Sequence, residues 1–203
     1  MLNIIKYLVV PAVALVLTMK IYNWLNETLV PKAPETTEES KQEVLIGGPF
    51  SLTNQDGETV TNQDFAGKYM LVYFGFANCP MICPTDMADI SQALDKLDDT
   101  QLEKVQPIFI TIDPERDTVE NIKTFLENFH SKFQGLTGTN EQVAAAIKEY
   151  RVYNRKVESD ELQDYLMDHS SFTYLMGPDG KYVAHFSHED GANKIAEGLK
   201  KYL

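Results

Sequence analysis

Cysteine is scarce in this sequence of 203 residues, which contains only Cys79 and Cys83. The disulfide frameworks that staple small secreted domains use several cysteines spread along the chain, so two thiols four positions apart are not such a framework. A structural zinc site is also disfavoured, because it normally takes four ligands and the chain offers no further cysteine. The two thiols therefore function as a pair or have no function.

Basic residues are also few, with 18 lysines and arginines against 30 aspartates and glutamates and a formal net charge of -12. A surface of this charge repels a phosphate backbone, so we expect no nucleic-acid partner. The acidic residues are spread along the chain. This distribution is typical of a solvated surface, and an electrostatic docking face is the alternative.

The N-terminus carries an uncharged, largely apolar run over residues 7–19, with further apolar residues on both sides. A membrane span needs about 20 residues, and Lys6 and Lys20 would then reach toward the two interfaces. A signal-peptide core is the alternative, but no small-x-small cleavage site follows the run. We predict an uncleaved membrane anchor over residues 1–26.

Charge on either side of this segment predicts its orientation. Lys6 precedes the run and several glutamates follow it, so the chain after the run is expected to cross the membrane. No arginine occurs before Arg116, which argues against an arginine-rich mitochondrial transit peptide and favours a bacterial inner membrane. We expect a single-pass protein with a flexible acidic stalk over residues 27–43, rich in Pro, Thr, Glu and Ser, and one domain over residues 44–203 in the periplasm.

Strand and helix patterns alternate along the domain. Apolar runs rich in β-branched and aromatic residues predict strands over residues 69–76, 105–112, 172–176 and 182–186. Helical periodicity predicts helices around residues 87–97, 122–129, 143–150 and 195–202. Alternation argues for a largely parallel sheet covered on both faces, and the turn at residues 177–180 argues for an antiparallel hairpin at one side. The predicted fold is α/β and thioredoxin-like, with a central mixed sheet flanked by helices.

Three local signals predict where helices begin. Asp117 with Glu120 and Thr139 with Gln142 have the spacing of capping boxes. Pro84 is expected to open the helix after the cysteines, because proline has no amide hydrogen to leave unpaired in the first turn.

The two thiols lie at a predicted strand-to-helix junction. Amides and the positive dipole end at a helix start stabilise a thiolate, which is the form that attacks electrophiles and binds metals. Four-residue spacing brings both sulfurs within reach of one metal ion or of a strained disulfide. Two soft thiolates favour Cu(I) or Zn(II), and the lack of further cysteines favours copper. A further ligand must be Met, His or Asp, and among the four histidines His169 stands at the entry to a predicted strand beside the cysteine loop.

Three spaced motifs resemble one protein family. They are FGF leading to CPMICP within residues 74–84, TIDPERDT over residues 111–118, and DHS followed by YL within residues 168–175. On these motifs the chain, from about Ile46 to Leu203, resembles the SCO/SenC family of copper-binding proteins that assist oxidase assembly.

The resemblance implies a site and a function. By position, Cys79, Cys83 and His169 are the expected ligands of one copper ion, Cu(I) or Cu(II), and Asp113 and Asp168 are expected as nearby carboxylates that support it. The implied function is a metallochaperone that delivers copper to the binuclear copper centre of cytochrome c oxidase subunit II. Redox preparation of that centre's cysteines is the alternative. Subunit II is the expected partner, with another copper carrier or a thiol reductant as further candidates.

Two enzyme classes share the predicted fold. A thiol peroxidase would carry a threonine three residues before the reactive cysteine, where this chain has Phe76. A thiol-disulfide oxidoreductase of the thioredoxin kind has two residues between its cysteines, not three, and a proline where His169 is expected to stand. Metal binding is therefore favoured over an enzymatic role, and thiol-disulfide reductase activity remains the rival hypothesis.

Overall fold

A computed structural model describes residues 17–25, 45–158 and 165–203, and the chain divides into two compact units, Met1–Val44 and Leu45–Leu203. In the first unit residues 17–25 are helical and exposed. Among the helices of the described ranges, none combines the length and the apolar character needed to cross a membrane. Most of the predicted anchor and all of the predicted stalk lie outside the described residues, so both stay predictions.

The second unit alternates strands and helices along the chain. Its strands are β1 (Ser51–Asn54), β2 (Thr59–Thr61), β3 (Tyr69–Gly75), β4 (Val105–Thr111), β5 (Gln134–Thr137), β6 (Asn154–Val157), β7 (Leu166–His169), β8 (Phe172–Met176) and β9 (Tyr182–Ser187). Its helices are α1 (Ile82–Leu94), α2 (Asp99–Glu103), α3 (Val119–Leu126), α4 (Asn140–Glu149) and α5 (Gly191–Tyr202). The four predicted strands are confirmed, with ends that differ by at most one residue.

The strands form a seven-stranded sheet in the order β2-β1-β5-β4-β3-β8-β9. Strands β3, β4 and β5 are parallel, while β8 pairs antiparallel with β3 and with β9, and β1 pairs antiparallel with β5 and with β2. Helix α1 packs against α5, α3 against β5 and α4 against β1. This mixed sheet flanked by helices is the thioredoxin-like fold that the sequence predicts.

Strand β3 is the centre of the core. Every residue after Tyr69 is buried, so both faces of the strand are covered, as the continuous apolar run MLVYF requires. Its carboxyl end at Gly75 leads directly into the loop that carries the cysteines. The site therefore lies at the carboxyl edge of the central parallel strands.

Two of the three predicted helix-start signals agree with the structure. Helix α1 begins at Ile82, so Pro84 lies in its first turn, although the helix opens two residues earlier than predicted. The capping box at α4 is confirmed, since Thr139 and Gln142 exchange side-chain-to-backbone hydrogen bonds. The capping box predicted with Asp117 is wrong, because Thr118 caps α3 and accepts from the Asn121 amide.

A second, two-stranded sheet pairs β6 with β7 and places Asn154 opposite His169. We call this pair of strands the β6–β7 ladder. The sequence analysis did not predict it. It brings His169 to the same edge of the fold as the cysteines.

Candidate metal centre

The thiols lie on the segment between β3 and α1, residues 76–83, which we call the cysteine loop. Cys79 is half-buried in the loop, and Cys83 is fully buried in the first turn of α1. The backbone N–H of Cys83 donates to Cys79 Sγ at 3.4 Å. Both cysteines are free thiols. The predicted junction of strand, loop and helix is therefore present, with both sulfurs at it.

The two thiols have opposite electrostatic environments. A hydrogen bond from the Cys83 side chain, with further help from the backbone amides of Cys83, Met81 and Ile82, lowers the pKa of Cys79 to about 5. The pKa of Cys83 is raised, because its thiol donates to the Cys79 sulfur and is buried. Near neutral pH, Cys79 is therefore the thiolate and Cys83 holds the proton.

His169 ends β7 with its imidazole against the cysteines. Its Nε2 lies 3.5 Å from Cys83 Sγ, and its Nδ1 lies 3.0 Å from the carbonyl oxygen of Ser170. Because a carbonyl oxygen only accepts, Nδ1 carries the hydrogen and the lone pair of Nε2 faces Cys83. The ring also packs edge-on against Tyr73 and Phe76, with centroids 6.4 and 6.1 Å apart. A neutral imidazole with a free Nε2 lone pair is the metal-binding form of histidine.

The two predicted carboxylates are placed differently. Asp113 is buried and accepts from Arg116 Nε at 2.5 Å and from the Tyr165 hydroxyl at 2.8 Å. It thereby ties the loop after β4 to the start of β7. Asp168 is exposed and lies 3.6 Å from the Arg155 guanidinium across the β6–β7 ladder. Asp113 thus helps to hold β7, the strand that carries His169, whereas Asp168 belongs to a surface ion pair.

Asp117 supports the cysteine loop, a role that the sequence analysis missed. Its Oδ2 accepts from the Ala77 amide at 3.0 Å and from the Thr111 hydroxyl at 2.6 Å. Burial raises the pKa of Asp117 to about 6. The signal in the sequence was its place in the motif that follows β4, but the spacing to Glu120 suggested a helix cap instead.

Gly75 and Tyr73 form the floor of the site. A Cβ atom on Gly75 would lie 2.8 Å from Tyr73 Cε1, which is a collision, and 3.1 Å from Cys83 Sγ, which is a tight contact. Glycine is therefore required by close packing here. Its absence of a side chain lets the tyrosine ring and the buried sulfur lie side by side.

Soft and borderline donors meet at this edge of the fold. In the described ranges, no three His, Cys, Asp or Glu side chains are gathered as a finished metal site. Cys83 and His169 nevertheless face each other, and the Cys79 thiolate is held by the Cys83 amide. Two sulfurs and one imidazole nitrogen are a donor set that suits copper in both of its common oxidation states.

Fold and site together define a thioredoxin-like protein with a cysteine pair and a histidine at the carboxyl edge of its sheet. The SCO1/SenC family model matches residues 38–203. The human mitochondrial SCO1 homolog is 42% identical over 160 residues, which cover 78% of this chain and 53% of the human protein. The chain belongs to the SCO1/SenC family. It spans about half the length of this human relative.

Solved structures agree with this assignment. ScoI of Bradyrhizobium japonicum, solved with copper bound, is 42% identical with a TM-score of 0.71, covering 78% of this chain and 99% of that one. BsSco, described as a Sco-family cytochrome c oxidase assembly protein with a disulfide switch, is 28% identical with a TM-score of 0.61, covering 78% of this chain and 93% of its own.

Proposed function

We propose that this chain binds one copper ion through Cys79, Cys83 and His169 and delivers it during assembly of cytochrome c oxidase. The observation that carries the proposal is the contact between Cys83 Sγ and His169 Nε2, at 3.5 Å, beside a stabilised Cys79 thiolate. Relatives with copper bound and a relative described as an oxidase assembly protein support it. The acceptor of the copper would be the binuclear copper centre of subunit II.

The order of ligation follows from the electrostatics of the thiols. The Cys79 thiolate, half-buried and already ionised, is the first donor that an incoming Cu(I) ion meets. Cys83 would then release its proton to solvent as its sulfur binds, and His169 would add the Nε2 lone pair. Asp113 supports this arrangement from outside the donor set by holding the strand that carries the histidine.

A thiol-disulfide reductase of the oxidase's copper-site cysteines is the second candidate. The observation that favours it is the division of the pair into a low-pKa Cys79 and a protonated Cys83, as found in dithiols that exchange with disulfides. Oxidation would join the two sulfurs and block copper uptake until reduction. The partner would then also include a thiol reductant, or another copper carrier for reloading.

The proposed location is a bacterial inner membrane, with the domain in the periplasm. Its support is the apolar N-terminal run with lysine before it and glutamates after it. An oxidising periplasm fits a cysteine pair whose oxidation state controls metal uptake.

One experiment separates the two candidate functions. The reduced full chain is titrated anaerobically with Cu(I) against a chromogenic chelator, and the same preparation is assayed for insulin disulfide reduction. One tightly held copper with negligible insulin reduction supports delivery. Rapid insulin reduction without tight copper binding would contradict it and favour the reductase.

A further inference from the structure

Tyr73 is a fully buried tyrosine on β3 whose hydroxyl serves no evident structural purpose. Among the described residues, that hydroxyl makes no hydrogen bond of full geometry, although the Cys83 and Asp86 side chains lie close enough to interact with it. A buried hydroxyl without a hydrogen bond costs on the order of 1–3 kcal/mol, so a phenylalanine would suit this position better if packing alone mattered. The hydroxyl therefore calls for a functional explanation.

The surroundings of Tyr73 point to the candidate site. Its Cε1, next to the hydroxyl-bearing carbon, and Cys83 Sγ both lie against Gly75, within 2.8 and 3.1 Å of the place a Cβ would take. Its ring also meets the His169 ring edge-on at 6.4 Å. Tyr73 thus lies beside two of the three proposed copper ligands, Cys83 and His169.

Two acceptors compete for the hydroxyl hydrogen. Burial, with Cys83 and Asp86 nearby, raises the pKa of Tyr73, so the hydroxyl stays protonated and able to donate. Asp86 is buried on α1, with Oδ1 at 2.5 Å from His188 Nδ1 and Oδ2 without a hydrogen-bond partner among the described residues. While Cys83 is a neutral thiol, its sulfur is a weak acceptor, and both Cys83 and Asp86 lie near the hydroxyl. A metal-bound thiolate is a much stronger acceptor.

We propose that Tyr73 is a positioning residue whose hydroxyl donates a hydrogen bond to Cys83 Sγ when that sulfur binds copper. This inference rests on the proposed copper site and adds a residue to it. Hydrogen bonds to a ligating sulfur tune the potential of copper–thiolate centres. Because Cu(I) withdraws less charge from sulfur than Cu(II) does, the bond stabilises the Cu(I) state more.

The test is Tyr73→Phe in the full chain, with Tyr150→Phe as the matched control. Tyr150 is also buried, but it packs on Phe74 and Tyr174, on the opposite face of β3. Loss of a hydrogen bond to a charged sulfur should weaken Cu(I) binding relative to Cu(II) by about tenfold. That ratio corresponds to a reduction potential about 60 mV lower for a one-electron couple.

Three measurements decide the outcome. Chelator competition gives the Cu(I) affinity. Optical titration gives the Cu(II) affinity and the position of the sulfur-to-copper absorption band. Thermal unfolding gives the stability of the metal-free chain. We expect Tyr73→Phe to change the affinity ratio, to move the band to longer wavelength and to melt no lower than the wild type, while Tyr150→Phe leaves the ratio and the band unchanged. Wild-type ratio and band in Tyr73→Phe would overturn the role of Tyr73 alone. A wild-type chain that binds no copper would overturn the copper site as well.

Discussion

The cysteine loop and the β6–β7 ladder meet at the candidate metal centre, but the fold holds them in different ways. The cysteine loop continues the buried strand β3, is tied to Asp117 through the Ala77 amide and ends in the fully buried Cys83. The β6 residues Asn154, Arg155 and Lys156 are exposed, and no strand of the large sheet pairs with the ladder in the described part of the chain.

The ladder is attached to the body through the Met167 and His169 side chains, which pack against the core, and through a set of polar contacts. Asp113 accepts from Arg116 and Tyr165, Arg116 Nη1 donates to the Tyr165 carbonyl oxygen at 2.9 Å, and the guanidinium lies 3.7 Å from the centre of the Tyr165 ring. Within the ladder, the Ser170 amide donates to the Tyr153 carbonyl oxygen and extends the pairing of β6 with β7. Regions held by few buried apolar contacts open more readily than the core does. In the proposed donor set we therefore expect the thiols to be the fixed part and the imidazole to be the adjustable part.

Removal of either thiol should have the largest effect, because it deletes a fixed donor. Cys79→Ala or Cys83→Ala in the full chain should abolish tight Cu(I) binding, since one thiolate and one imidazole leave too few soft donors. Chelator competition under anaerobic conditions measures this. Unchanged stoichiometry in either variant, with a wild-type melting curve, would remove that cysteine from the site.

His169→Ala should separate the two oxidation states of copper. Cu(I) is satisfied by two thiolates, so we expect its affinity to fall about tenfold or less, whereas Cu(II) needs the nitrogen donor and should lose more than about 100-fold. The reduction potential of the bound copper should rise. Optical and paramagnetic resonance spectra of Cu(II), beside Cu(I) competition, measure the difference. Equal losses for both ions together with loss of cooperative melting would show that His169 supports the fold instead.

The same contrast explains what the sequence predicted and what it did not. Strands β3, β4, β8 and β9 are central or long and apolar, so composition alone located them. Strand β5 has only four residues, Gln134–Thr137, and the ladder strands carry the polar sequences NRKV and LMDH, so neither shows strand periodicity. The neighbourhood of Cys79 and Cys83 followed from spacing. The position of His169 beside the loop followed from its place at the entry to a predicted strand, whereas its role as a ligand needed the family resemblance.

Support residues were the hardest to predict, since their roles depend on distant partners. The local sequence predicts that Asp117 caps a helix, but its carboxylate accepts a hydrogen bond from an amide 40 positions earlier in the chain. Tyr73 reads as one more core aromatic residue, and only its contacts through Gly75 connect it to Cys83. Local propensity identifies elements, whereas such contacts arise only from the complete topology.

Asp113→Ala should loosen the ladder more than any exposed ion pair can. Removal of this buried carboxylate breaks its ion pair with Arg116, and breaking a buried pair typically costs about 3 kcal/mol of unfolding free energy. The matched control is Asp168→Ala, whose exposed pair with Arg155 should contribute about 0–1 kcal/mol. Urea unfolding measures both. Equal effects of the two substitutions would contradict the view that Asp113 anchors the ladder.

The smallest expected effect is that of the ladder on the pH at which Cys79 ionises. We expect the cysteine loop to be electrostatically independent of the ladder. The pKa of Cys79 is lowered from 9.0 to about 5 by the Cys83 side chain and by loop amides, all of which belong to the cysteine loop. A lowered folded-state pKa means that the thiolate stabilises the fold fully above the unfolded pKa, and that this contribution is lost as pH falls through about 5. The rate of Cys79 alkylation by iodoacetamide, followed by peptide mass spectrometry, should therefore have a midpoint near the same pH, while the buried Cys83 stays unmodified.

His169→Ala should leave that midpoint unchanged. Cys83→Ala should raise it, because the largest stabilising hydrogen bond is lost, but not to 9.0, because the amides remain. A wild-type midpoint near 9 would show that the loop does not stabilise the thiolate, and a large shift in His169→Ala would show that the ladder contributes to it.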